Sequence, residues 1–137
     1  MAATIAEVRQ NLADIADTLD GWYGSMYVGD AANKRVIKVF RPAFDPRMVF
    51  GGEKYQMTFR CVAYAARVDS DASEQALDAL AELTGTGSFI VAVQSSTNWT
   101  ITVDYASVID VGETGVTVFG SDGVEYLMCP FEVEVVW

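Results

Sequence analysis

The sequence predicts an α+β fold: a mixed, mostly antiparallel β-sheet flanked by an N-terminal helix and by one or two helices after a long central strand. Three observations predict it. Apolar side chains recur at spacings of three and four over residues 4–19, which is helical periodicity. They alternate with period two from Glu53 to Val68, a stretch long for a strand and therefore expected at the centre of the sheet. The order of elements is helix, two strands, long strand, helices and then strands. With 137 residues, 51% of them hydrophobic, the chain is expected to fold as one domain, 1–137, around one core.

The first helix places Ile5, Val8, Leu12, Ile15 and Leu19 on one stripe. Thr4 followed by Glu7 is a capping box, and Asp20-Gly21 ends the helix. Trp22–Val28 is a short strand weakened by Gly24, and residues 29–33 are a turn. Arg35–Arg41 is a second strand that Pro42 stops; Ile37 and Val39 share one face, and Val36, Lys38 and Phe40 the other. In the segment that follows, Phe44, Pro46, Met48 and Phe50 stand among charges and glycines, suited equally to a contact or to packing under the sheet.

In the long strand Tyr55, Met57, Phe59, Cys61, Ala63 and Ala65 share one face, and Gln56, Thr58, Arg60, Val62, Tyr64 and Ala66 share the other. Asp71 and Glu74 form a capping-box-like start to a helix whose stripe is Ala76, Leu77, Leu80 and Leu83. After the joint at residues 84–88, Phe89–Gln94 suits either a helix capped by Ser88 or a buried strand, and the helix is favoured. Trp99, Ile101, Val103 and Tyr105 alternate with polar residues as a strand would. Val116–Phe119 and Glu125–Trp137 are two more strands, joined by Gly120-Ser121-Asp122-Gly123. Phe131, Val133, Val135 and Trp137 face the core, Glu132 and Glu134 face out, and Pro130 marks a bulge or an edge.

Charge is divided along the chain. All nine Lys and Arg lie between Arg9 and Arg67, whereas the chain from Asp69 onward carries twelve Asp and Glu. The segment from Lys34 to Arg67 has eight basic residues against Asp45 and Glu53. Two readings compete for this dipole: both sectors are simply solvated, or they meet between copies, as unlike patches do in a head-to-tail ring.

Chemistry is sparse. There is no histidine, which removes the commonest general base and metal ligand. Gly85-Thr86-Gly87 lacks the further glycine and lysine of a phosphate loop, and Asp69, Asp71 and Glu74 lack the spacing of a calcium loop. Asn98-Trp99-Thr100 matches the glycosylation triplet, but with no secretory leader expected it is read as coincidence. Cys61 and Cys129 sit in apolar runs as reduced core thiols, with a disulfide or metal pair as the alternative. The local basic segment suits DNA phosphates, but a net charge of -10 opposes binding. No catalytic, cofactor-binding or metal residue is expected, and no membrane span.

The chain resembles the tail terminator proteins of long-tailed bacteriophages. The likeness rests on the opening helix before Gly21-Trp22-Tyr23, the strand into Phe40-Arg41-Pro42, the long strand from Tyr55 to Asp69, the helix around Gln75–Leu80 and the closing strand Tyr126–Val135. It spans nearly the whole chain as a pattern of elements, and related neck and tail-completion proteins share it. The resemblance implies a homo-oligomeric, hexameric ring at the top of the tail, assembled in the host cytoplasm. Such a ring contacts the tail tube protein and a head-completion or connector protein, and passes phage DNA through its hole without sequence-specific binding. No family site residue is carried over. The charge split independently suggests an interface in which the basic sector, with Lys34, Arg35, Lys38, Arg41, Phe44 and Arg47, docks on a neighbour's acidic C-terminal half, with Glu132 and Glu134. The rival from another class is a small ligand-binding domain or enzyme with an apolar pocket under Trp22, Tyr64, Trp99 and Trp137.

Overall fold

Helix α1 (Ile5–Asp17) starts at a complete capping box: Glu7 N donates to Thr4 Oγ1 at 3.1 Å, and Thr4 N donates back to Glu7 Oε1 at 3.3 Å. It ends through Thr18 and Gly21, whose φ of 82° is one that glycine adopts without strain. The computed structural model describes residues 3–25, 35–42, 55–66, 70–119 and 124–137. Within these, α1 is followed by β1 (Tyr23–Ser25), β2 (Val36–Val39), β3 (Gln56–Ala66), α2 (Ser70–Leu80), α3 (Phe89–Gln94), β4 (Tyr105–Val111), β5 (Gly115–Phe119) and β6 (Val124–Val136). The turns expected at residues 29–33 and 120–123, and the Phe44–Phe50 segment, lie outside the described residues.

The six strands form one sheet in the order β1-β2-β3-β6-β4, with β5 also on β6. Only β1 and β2 are parallel; every other pair is antiparallel. The long strand β3 is central, as its length implied, and it pairs with β6 from Gln56↔Val136 to Ala66↔Tyr126. Period-two alternation turns Met57, Phe59, Cys61, Ala63 and Ala65 towards the helices. There they meet Phe131, Val133 and Val135 of β6, the apolar stripe of α1, and Leu77, Leu80, Phe89 and Val93 of α2 and α3. All three helices therefore cover one face of the sheet, and the core is the layer between.

Two close approaches set this layer's geometry. A Cβ on Gly24 would lie 1.7 Å from the carbonyl oxygen of Ala13, so α1 rests directly on the backbone of β1. The glycine that weakens β1 as a strand is what lets the helix seat on it. A Cβ on Gly112 would lie 2.5 Å from Cγ of Pro130. Pro130 falls where β4 has left β6 and β5 has not begun, and its carbonyl accepts from Gly112 N at 2.8 Å. Its missing N–H thus points at a local edge inside an otherwise central strand, which is where proline costs least.

Three expectations are corrected. Helix α2 begins at Ser70, so Asp71 lies within its first turn and does not cap it; a carboxylate there still favours the positive end of the helix dipole. The helix stops at Leu80, which leaves Leu83 80% exposed and outside the core. Residues 99–103 are not a strand, and the strand is β4, from Tyr105 on. The cause is Asn11, buried in the stripe of α1. Its Oδ1 accepts from Thr100 N and Thr100 Oγ1, each at 2.9 Å, and from Ile101 N at 3.3 Å, while its Nδ2 donates to Asn98 O. Backbone donors that a strand would give to a neighbour are taken by one side chain.

Phe89–Gln94 is a helix, capped by Ser88 Oγ accepting from Val91 N at 3.3 Å. The same hydroxyl donates to the carbonyl of Glu82, fastening the α2–α3 connection.

Candidate functional site

The face of the sheet away from the helices has two halves. Towards β5, Val36, Val62, Tyr64 and Tyr126 are buried as a second small cluster, with Phe40 and Met128 packed against it. Towards the other end the face is polar. Register places Arg60 beside Glu132, and Glu132 beside Asp110; the next row is Thr58, Glu134 and Ser107. Like charges opposite one another disfavour pairing, and Glu132 stands between its attractive neighbour and its repulsive one. The boundary between basic and acidic sectors thus runs down the sheet between β3 and β6.

The expected interface residues are distributed unevenly over this frame. Lys34, Phe44 and Arg47 lie outside the described residues. Lys38 is 3% exposed, so its charge is withdrawn from the chain's surface. Arg35 is half-buried, and its guanidinium lies by Gly21 at the C-terminal end of α1, where the helix dipole favours a cation. Arg41 is exposed just beyond β2. Glu132 and Glu134 are half-buried in the middle of the sheet face, with β3 between them and β2. The fold therefore keeps Arg41 and the two glutamates apart in one chain, and Arg60, which the expected interface omitted, is the basic neighbour of Glu132.

The margin of the sheet at β4 was not foreseen. Tyr105 (49%), Ile109 (52%) and Val111 (37%) are exposed on β4, and Val116 (52%) on β5. The ladder to β6 shifts between Val108 and Asp110, a bulge at Ile109. Exposed Asp104, Asp110 and Glu113 flank these side chains. Tyr105–Val111 carries no clean alternation of its own, and the regular Trp99–Tyr105 pattern just before it drew the strand too early in the chain.

Between α3 and the start of β4 lies an open cleft of about 370 Å³. Gln94 Nε2 donates to Ser107 Oγ across it at 3.2 Å, and the indole of Trp99 donates to Val93 O at 2.8 Å. The four aromatics named for a shared pocket do not converge. Trp22, Trp99 and Trp137 belong to the main core, whereas Tyr64 sits in the cluster on the opposite face.

Cys61 and Cys129 are buried free thiols on the helix-facing side, two register positions apart. Burial, reinforced by the Glu132 carboxylate, pushes the Cys61 thiol up. Burial likewise raises Cys129, against the opposing hydrogen bond from Thr114 and with a small push from Asp78. Both are therefore held as protonated thiols near neutral pH, poor nucleophiles and poor metal ligands. Among the described residues no cluster of three His, Cys, Asp or Glu is placed to hold a metal, and no helix is long and apolar enough to cross a membrane.

No protein-family model matches the chain, and a search of the curated proteins finds no match.

Proposed function

We propose that this chain is a virion structural protein of a long-tailed bacteriophage, a tail terminator. Its copies close into a ring that caps the tail tube, stops its growth and joins the tail to the head. The observation that carries the reading is the division of charge across one rigid sheet. The strands from β4 to β6 bear no basic side chain at all, while Arg41 and Arg60 are exposed beside β2 and on β3. A surface of one sign has its complement only in the other half of the chain, and copies that join unlike surfaces close into rings or run on as filaments. The resemblance in element order supplies the class of assembly. An acidic chain around a channel also suits DNA passage, since phosphates are repelled and do not stick to the wall. The protein transforms no substrate; its partners are its own copies, the tube protein and a head-side connector.

The test is polymerisation of the purified tail tube protein with the chain added in small molar proportion. Tubes become shorter as more is added, and electron micrographs show one end of each tube capped. Tubes of unchanged length with bare ends at every ratio exclude the capping role.

A further inference from the structure

We infer that the exposed apolar margin formed by β4 and the start of β5 is the surface that receives the next copy of this chain, and that it docks against the basic sector around Arg41. The inference rests on the assembly half of the proposed function and names its interface. Ile109, Val111 and Val116 stand 52%, 37% and 52% exposed along one margin, with exposed Asp110 and Glu113 around them. An apolar centre within a polar rim is the anatomy of a protein interface.

The charge pattern selects the occupant. The chain has no Lys or Arg after Arg67, so two copies that met β4 to β4 would set Asp104, Asp110 and Glu113 against the same acids. Such like-charge contact is repulsive and disfavours that pairing. Anionic lipid and nucleic acid are repelled by the same rim. The only cations this protein offers are in its first 67 residues, and of those described next to β2, Arg41 is exposed. The contact is therefore between unlike surfaces, the kind that closes a ring. The bulge at Ile109 breaks the regular ladder and re-aims a side chain, so the joint is made by side-chain packing and not by a sheet continuing from copy to copy.

Two variants block opposite sides of this joint. Ile109→Lys spoils the apolar centre, and Arg41→Glu spoils the basic sector; both positions are exposed, so folding, checked by circular dichroism and thermal melting, is retained. Val116→Lys serves in place of Ile109→Lys if the latter is unfolded. Each variant alone stays monomeric where the unaltered chain is assembled, a weakening of about 30-fold or more. A one-to-one mixture, at concentrations well above that, gives a heterodimer that grows no further, because each variant lends its one intact surface. Either variant assembling like the unaltered chain, a mixture without heterodimer, or a mixture that rebuilds the full assembly overturns the inference. If the unaltered chain assembles and Ile109→Lys and Val116→Lys assemble with it, only this surface is wrong. An unaltered chain that never assembles removes the proposed function as well.

Discussion

Trp137→Ala lowers the folding free energy by about 4 kcal/mol, a large part of what a domain this size possesses. The side chain is 4% exposed, and its ring stacks on Tyr55 at 5.3 Å and tilts against Phe59 at 6.0 Å. Its Nε1 donates to the carbonyl of Ala3 at 2.6 Å, which fastens the chain before α1 to the end of β6. Backbone bonds between Tyr55 and Trp137 close the β3–β6 ladder at the same point. Alanine leaves a cavity, loses both ring contacts and removes the donor from a part-buried carbonyl. Trp137→Phe keeps most of the apolar surface and loses the hydrogen bond, so it costs about 1–2 kcal/mol. Urea unfolding of the three proteins measures both steps. Equal stability of Trp137→Ala and the parent chain contradicts the role given to this residue.

Gly24→Ala is the second large loss, about 3 kcal/mol from one added methyl. The new Cβ would sit 1.7 Å from Ala13 O and 2.6 Å from Ala13 C, and these are backbone atoms of a helix that cannot swing aside as a side chain can. Relief requires α1 to lift from β1, which opens the core beneath Leu12, Ala13 and Ala16. Gly115→Ala is the control. Its Cβ comes no closer than 3.9 Å to Met128 Cγ, and alanine in a strand gains about 0.5–1 kcal/mol over glycine through the unfolded chain. Thermal melts of the two variants should move in opposite directions; a Gly24→Ala protein as stable as its parent refutes the close seating of α1.

Legibility in the sequence followed the strength of local periodicity. Helix α1, strand β3 and strand β6 each carry a repeat long enough to fix both type and inward face, and each has the expected face buried. Where a tertiary bond overrides the local pattern, the pattern misleads. Trp99, Ile101 and Val103 alternate as well as any strand, but Asn11, far away in sequence, takes the backbone donors of Thr100 and Ile101. A polar residue in the stripe between Val8 and Ile15 was the one visible hint of that staple. Leu83 fits the stripe of α2 by spacing, but the helix ends a turn too early to bury it.

The candidate surface was legible in sign and not in place. Counting charges separates a basic from an acidic half of the chain. It cannot tell that Lys38 is buried, that Arg35 serves the end of α1, or that Glu132 already has Arg60 beside it. Those facts depend on strand order, which places β6 between β3 and β4 although it is last in the chain. The apolar margin on β4 depends on it too, since Ile109 is a surface residue only because β4 ends the sheet.

Self-association through unlike charged flanks is what the whole account stands on, and particle mass in solution reads it directly. At low ionic strength the purified chain has the mass of a closed ring, and raising salt to about 1 M, where screening acts within about 3 Å, shifts it towards the single chain. A mass equal to one chain at high concentration and low salt, or an assembly whose mass ignores salt altogether, contradicts it.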